Sequence, residues 1–492
     1  MNYTLKDKYD VIVIGSGMSG LTSALLFANK GKKAAVFEQS LVVAPLLAGF
    51  NRQGVHFETG FHYSGVLGKD EAGGYMFKKL GLDVPVEACD PDGYDNAYLV
   101  KSKRVFKIPS GYERLEKRLI EFFPHEEQGI KKYLSMVREE IKGKPFLNFH
   151  KKWHSNEELF QFLSSGKTLD EVLNECFTEP ELKTLLSFTS VLYGVPPKEA
   201  SFMLHCCCSG IMYESAWKLK GGGDRLVDIF IKALKEKGTE IFTDKKVLKI
   251  EENGAIKKVI CADGSHSNCD ICVSAVHPKE FIKIAPQGVY RKKNIERINT
   301  MKETRGFFML FGVIKGDFFG QNVNNAGFLD SEGLLNGFKD FMYVNVNSGK
   351  IFSRKSSENS RVICAVLSVD SDEKFWNIPE NEYKTKKEKF TNEIKTRLDL
   401  QWPGISKNIK FIEASTPRTF KRYVNYYGSY GIMRRHNYAN VIPITKVPGL
   451  FLVGQSIIAP GLVGAMISAF LLDKLIDRQN DIKENISLTT SA

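Results

Sequence analysis

Apolar residues fill Val11 to Ile14 without a break, stop at Gly15, and resume with helical spacing through Asn29. A turn at Gly31 and a second apolar run, Ala34 to Phe37, end on the acidic Glu38. This alternation predicts a strand, a helix and a parallel strand at the start of the chain. From Gly238 to Val276 the period falls to two, with turns at Asn253-Gly254 and Asp263-Gly264, which predicts a three-stranded meander capped by a buried strand. Val447 to Ile476 gives a strand ending at Gly454, a Gly/Pro loop and an apolar helix. Between these segments lie two longer stretches rich in Phe, Tyr and Leu, about 75–215 and 286–440. The first has helical spacing at 111–123, 125–141, 169–177 and 180–193; the second predicts strands at Met309 to Ile314 and Val362 to Val369.

With 492 residues, 43% of them hydrophobic and 26% charged, the chain is long enough for two or three interleaved domains and too apolar for a disordered one. Lys and Arg exceed Asp and Glu by 69 to 57, in short runs such as Lys101 to Arg104 that acidic residues flank. Solvated faces explain these runs, with attraction to anionic lipid as the sharper alternative, and no nucleic-acid module accompanies them. The nine cysteines, three of them consecutive at Cys206 to Cys208, do not form a disulfide framework and predict a reducing, cytoplasmic setting. Cys269 and Cys272 have C-x-x-C spacing within a strand pattern, without a second pair at zinc spacing, so no metal is expected. The polar N-terminus leads directly into a strand, which predicts no signal peptide, and Gly and Pro interrupt the longest apolar stretch, which predicts no membrane span.

The chemistry is clearest at Gly15-x-Gly17-x-x-Gly20. Gly15 allows a tight turn, Gly17 a close approach of backbone to a pyrophosphate, and Gly20 helix-on-sheet packing; Ser16, Met18 and Ser19 complete the loop and offer the helix N-terminus to phosphates. Glu38, followed by Gln39, stands where a carboxylate would accept from a ribose hydroxyl, which disfavours a 2′-phosphate. Further βαβ units would indicate NAD; instead the chain leaves for Phe50 to Tyr63, which selects FAD.

Five stretches carry a resemblance: Gly15 to Glu38, "FETGFHYSG" at 57–65, "GGGDRLVDIFIKALKEKGTEI" at 221–241, "STPRTFKRYVNYYGSYG" at 415–431 and "GLFLVGQSIIAPGLVGAMISA" at 449–469. Through them the chain resembles, from end to end, the phytoene desaturase, carotenoid isomerase and retinol saturase group of amine-oxidase-like flavoproteins, the last two stretches looking most like the isomerase and saturase branches. The resemblance implies an α/β fold: a Rossmann-like, GR2-type FAD-binding domain (1–74, 216–285, 441–492) interleaved with an α+β substrate domain (75–215, 286–440). It implies that Gly454-Gln455 meet the ribityl and pyrophosphate portion, that the helix start at Leu462-Val463-Gly464 faces the pyrimidine edge, and that Val247 meets the adenine through its backbone. A helix N-terminus there would stabilise a reduced flavin. In relatives the turn at Gly60 and Phe61 lies beside the isoalloxazine, which makes His62 and Tyr63 the first candidates for a proton donor. An external NAD(P)H reductant is compatible with this chemistry.

One stretch departs from the family. Where relatives place a Gly-Gly pair, this chain has Ala44-Pro45 within Val42-Val43-Ala44-Pro45-Leu46-Leu47. Either the loop is rebuilt and still holds FAD, or the cofactor site is weakened. The expected activity is oxidoreduction at a carbon–carbon double bond of a long apolar polyene or isoprenoid; a redox-neutral cis–trans isomerase and a flavin-poor lipid-binding protein are the rivals. The Lys- and aromatic-rich stretch from Ile141 to His154 predicts peripheral membrane contact, against the plainer reading of an amphipathic connector. His205, on an apolar helical stretch, is expected in the core, and the sequence leaves the oligomeric state open.

Overall fold

A computed structural model describes residues 4–490 apart from 61, 143–146, 148–165, 255, 317, 320–322, 331–333, 336, 339–340, 347–348, 353–359 and 437–442, with 478–490 described as backbone helix only. Two seven-stranded sheets organise it. Across the first, the nucleotide sheet, the order is Val247–Asn253, Ile256–Cys261, His266–Ser274, Lys8–Ile14, Ala34–Phe37 and Glu240–Phe242, with Leu450–Leu452 joining His266–Ser274. Lys8–Ile14 pairs parallel with both Ala34–Phe37 and His266–Ser274. Val11, Ile12 and Val13 are completely buried, as an unbroken apolar run requires when both faces of a parallel sheet are covered.

His266–Ser274 has two partners on one edge. Its first half pairs antiparallel with Ile256–Cys261, closing the expected meander, and Cys272 to Ser274 pair parallel with Leu450–Leu452. Three stretches far apart in sequence thereby meet in one Rossmann-like sheet. Against it pack the helices Met18–Asn29, Gly222–Glu236 and Gly461–Thr490. Cys269 and Cys272 are buried within their strand, and all nine cysteines are free thiols. Among the described residues no helix is long and apolar enough to cross a membrane.

The second, cap sheet runs Ile409–Ser415, Gly306–Lys315, Ser360–Val369, Met342–Val346, Asn325–Leu329, Asp95–Leu99 and Arg104–Ile108. The expected strands at Met309 to Ile314 and Val362 to Val369 lie inside its central pair, which is in register from Gly306↔Val369 to Lys315↔Ser360. The first insertion is not helical throughout: its hairpin, Asp95–Leu99 and Arg104–Ile108, extends this sheet through a parallel pairing with Asn325–Leu329. All five residues of Asp95–Leu99 are buried, two of them polar, so neither period-two alternation nor an apolar run marks the strand. The helices Tyr112–Phe122, Glu127–Lys142, Leu169–Cys176 and Pro180–Ser187 fall where the spacing predicted them, and Thr168 and Glu171 form a capping box at the third. These helices bury one face of the cap sheet; Glu380–Gln401 and Trp376 cover the other. His205 is fully buried, its ring nitrogens 2.9 Å from the hydroxyls of Tyr133 and Tyr193, a core position as expected.

Candidate functional site

Between the two sheets lies a cleft of about 370 Å³. Its nucleotide wall begins at Gly15, whose φ of +96° is open to glycine at little cost. Gly17 is the N-cap of the helix Met18–Asn29; no side chain caps that helix and no acidic residue occupies its first turn. A Cβ added to Gly17 would meet no protein atom within 4 Å, so the glycine opens on free space in front of unsatisfied N–H groups and the positive end of the helix dipole. Gly20 does the opposite. A Cβ there would lie 2.0 Å from the Gly15 carbonyl oxygen, so its glycine is needed for packing and does not line the cleft.

Glu38 is buried at the end of Ala34–Phe37. One carboxylate oxygen accepts from the Ser16 N–H (2.8 Å) and the Ser16 hydroxyl (2.6 Å), the other from the Ser40 N–H (2.8 Å). The same Ser16 oxygen accepts the Ala44 N–H at 2.8 Å. Ser16 is wholly buried behind the wall and ties the acid to the loop that departs from the family. In that loop Ala44 takes the left-handed conformation, φ +49° and ψ +57°, which a glycine would adopt with less strain. Pro45 then opens the single turn Pro45–Ala48, where a first-turn N–H has no intrahelical partner to lose. The Leu46 carbonyl accepts the Thr59 hydroxyl at 3.1 Å, and Cβ atoms added at Gly60 or Gly223 would fall 3.0 and 2.2 Å from the Leu46 and Leu47 oxygens. The loop is rebuilt around an alanine, and Ala44, Pro45, Leu46 and Leu47 all line the cleft.

Gln39 and Val247 line the cleft with Lys245 and Lys246; the Gln39 side chain donates to the Tyr423 carbonyl (3.2 Å) and accepts from Asn425 (3.0 Å). Gly454 gives its N–H to the Ser468 hydroxyl (2.9 Å), while the Gln455 amide donates to the Tyr426 hydroxyl (2.8 Å). At the start of the last helix Gly461 and Leu462 face the cleft; Val463 is buried behind them, and a Cβ on Gly464 would come within 2.4 Å of the Ala459 oxygen. The expected set is thus gathered at one place, with Ser16, Gly20, Val463 and Gly464 behind the surface. Phe61 lies outside the described residues.

The two proton-donor candidates part company. His62 lines the cleft, with Nδ1 3.5 Å from a Glu58 carboxylate oxygen. Tyr63 does not line it: its hydroxyl donates to the buried Asp95 of the cap sheet and accepts from Asn325 at 3.0 Å. Burial raises Tyr63 well above the usual phenol range and moves Asp95 from the usual 3.8 to about 7, against the lowering by Tyr63 and Asn325. Tyr63 therefore ties the turn after Gly60 to the cap sheet.

The aromatic cap wall has no counterpart among the residues expected from sequence. Phe307, Met309, Tyr343, Phe420 and Tyr430 line it, and Phe307 lies edge-on to both Tyr343 (6.3 Å) and Tyr430 (5.9 Å). Their spacing along the chain, from 307 to 430, carries no local signal beyond the alternation of Phe307 and Met309. Equally unforeseen is His277, buried at the cleft and stacked on Tyr426 at 4.8 Å; burial, with the nearby Lys279, Lys421 and Lys283, lowers it to about 3. Among the described residues no group of three His, Cys, Asp or Glu side chains is placed to hold a metal.

A glycine-lined helix N-terminus, a buried acid one strand away and a covering aromatic sheet describe a dinucleotide-binding oxidoreductase. Over residues 18–470 the chain matches the family described as flavin containing amine oxidoreductase, and it belongs to that family. It is an FAD-type flavin-dependent oxidoreductase. It is 25% identical to the all-trans-retinol 13,14-reductase of Danio rerio, over 97% of this chain and 88% of that one. The chloroplastic prolycopene isomerase of Daucus carota is 24% identical, over 91% of this chain and 76% of that one. The fold is also that of the cyclohexylamine oxidase from Brevibacterium oxydans, with a TM-score of 0.61 at 14% identity over 95% of this chain and 99% of that one.

Proposed function

We propose that this flavoprotein transfers hydrogen across a carbon–carbon double bond of a long apolar polyene, of retinoid or carotenoid type. One observation carries the reading: among the described residues no charged side chain lines the cap side of the cleft, where Phe307, Met309, Phe420, Tyr343 and Tyr430 form the wall. Such a wall suits an uncharged, extended hydrocarbon. The curated relatives that act on retinol and prolycopene support the same class. Residues 1–74, 216–285 and 441–492 form the cofactor-binding unit, and 75–215 with 286–440 cover the substrate.

The residues present fit FAD. Gly17 and the first N–H groups of Met18–Asn29 would receive the pyrophosphate, Glu38 the ribose, the Val247 backbone the adenine, Gly454-Gln455 the ribityl chain, and the helix start at Leu462 the pyrimidine edge. When bound, FAD supplies hydride exchange with the carbon skeleton. The chain supplies exclusion of water by the aromatic wall and a proton-carrying ring at His62. Reduction of the cofactor by external NAD(P)H belongs to this reading. The similarity to prolycopene isomerase favours a second one, redox-neutral isomerisation of the same bonds.

We place the protein on the cytoplasmic side, in reversible contact with a bilayer from which its substrate comes. Leu41 and Val42 are 79% and 51% exposed just before the rebuilt loop, and Tyr423, 43% exposed, lines the cleft beside Arg422. The stretch Ile141 to His154, read from sequence as a docking patch, falls largely outside the described residues. Purified protein should be yellow with close to one FAD per chain. A colourless protein that takes up no FAD on reconstitution would overturn the oxidoreductase reading.

A further inference from the structure

The motif Gly221-Gly222-Gly223 is conspicuous in the sequence, yet it neither lines the cleft nor enters the cofactor contacts above. Its geometry gives it a role. Gly221 and Gly222 have φ of +91° and +80° and lead into the fifteen-residue helix Gly222–Glu236. A Cβ on Gly223 would strike the Leu47 carbonyl oxygen at 2.2 Å, so that glycine seats the rebuilt loop. At Gly222 the atom a Cβ would strike, again at 2.2 Å, is a carboxylate oxygen of Glu58. Glu58 is therefore held in the space that the missing side chain leaves, beside a helix N-terminus, where negative charge is favoured.

The other Glu58 oxygen faces the Nδ1 of His62 at 3.5 Å, both side chains being largely buried, 13% and 14% exposed. His62 is the histidine that lines the cleft on the side of the Gly60 turn. Its Nδ1 makes no hydrogen bond at this distance, and such contacts commonly shorten only when a ligand fills the site. The neighbouring acid, Asp224, is already held by Lys350 at 2.8 Å, and His56 Nε2 stands 4.0 Å from it without a hydrogen bond. Glu58 is thus the carboxylate available to His62.

We propose that Glu58, seated by Gly222, is the positioning residue for His62: it holds the ring through Nδ1 and reserves Nε2 for the ligand in the cleft. A carboxylate at one ring nitrogen fixes the tautomer and the ring plane, as it does in other histidine–carboxylate pairs. The device works in either direction of hydrogen transfer, because the charged ring can give a proton at Nε2 and the neutral ring can take one. The inference rests on the reading of His62 as the proton-carrying ring.

The test uses the full-length, flavin-loaded protein labelled with ¹⁵N-histidine, without substrate, and then with all-trans-retinol as the turnover probe. His62→Gln assigns the His62 signals. In the wild type the neutral ring should hold its proton at Nδ1, and in Glu58→Gln that preference should be lost. Turnover should fall about tenfold in kcat with KM and flavin content kept, Glu58→Asp should recover part of it, and Gly222→Ala should reproduce the tautomer change by displacing Glu58. A Glu58→Gln variant with wild-type tautomer and wild-type kcat, beside an inactive His62→Gln, would overturn the positioning role and leave the His62 reading standing. A His62→Gln variant that turns over like the wild type would overturn that reading and the inference with it.

Discussion

The two walls of the cleft are built by different means. The nucleotide wall is made largely of backbone: Gly15, Gly17, Gly454 and Gly461 supply turns and open space where a side chain would obstruct, beside the first-turn N–H groups of Met18–Asn29. The cap wall is made of side chains: Phe307, Met309 and Tyr343 on strands of the cap sheet, Phe420 on the helix Pro417–Val424 and Tyr430 in the loop beyond it. Backbone recognition is indifferent to what the ligand's far end is. Specificity must therefore come from the cap wall, and substitutions on the two sides should fail in different ways.

The largest effect expected is at Gly20. Gly20→Ala forces a Cβ against the Gly15 carbonyl and should cost about 3 kcal/mol of stability, losing flavin as well. Gly17→Ala, which meets no protein atom, should melt within about 0.5 kcal/mol of the wild type and still lose most of its flavin. A thermal melt beside the flavin-to-protein ratio separates the two, and equal melting losses would show that Gly17 is structural. Glu38→Ala should weaken FAD binding by about 2–4 kcal/mol, measured by retention on dialysis. On the other wall, Phe307→Ala should keep its flavin and raise KM for a polyene about tenfold, or ~1.4 kcal/mol. Loss of flavin in that variant would mean the walls are not separable.

Asp95 adds a pH signature to the cap side. Its carboxyl is raised to about 7 in the folded protein, so the folded state binds a proton that the unfolded chain has already released above about pH 4. Stability should consequently decline as pH rises from about 4 to 7 and level off above, and Asp95→Asn should flatten that decline. Denaturant melts across this range check the sign; a parallel decline in the variant would assign it elsewhere.

The nucleotide wall was legible because its demands are local. Gly15, Gly17, Gly20 and Glu38 stand at spacings fixed by one strand–turn–helix–strand unit, and glycine meets the demands of that turn where larger residues do not. Ser16 was readable as part of the loop, but its bonds to both Glu38 and Ala44 were not, since they depend on how a later loop folds back. Nor did Asp95–Leu99 announce itself as a strand, because burial on both sides comes from residues far away in sequence. Tyr63 is a candidate from sequence because it follows the Gly60 turn, but its hydroxyl bonds Asp95 and Asn325 of the cap sheet, a contact set by residues far away in sequence.

The smallest effects concern the departures from the family. Ala44→Gly relieves a left-handed alanine but loosens the unfolded chain, so stability should change by less than about 1 kcal/mol and flavin affinity should hold. A tenfold gain in affinity would show that Ala44-Pro45 does weaken the site. Leu41→Asp with Val42→Asp should reduce co-sedimentation with anionic liposomes at low salt without touching flavin content. Wild-type protein that stays in the supernatant with liposomes of every charge would remove the membrane contact from the account.

If the cofactor on one wall changes a double bond lying on the other, the two must exchange hydrogen directly. Mixing the photoreduced flavoprotein with all-trans-retinol in the absence of oxygen tests this in one step. The account predicts that the flavin is reoxidised as the polyene absorbance shifts to shorter wavelength, with one product molecule, heavier by two hydrogens, for each flavin oxidised. An isomer of unchanged mass with the flavin still reduced would replace hydrogen transfer with isomerisation. A flavin that retinol and carotenoids leave untouched, in a protein whose oxidised form is reduced by a small amine, would contradict it.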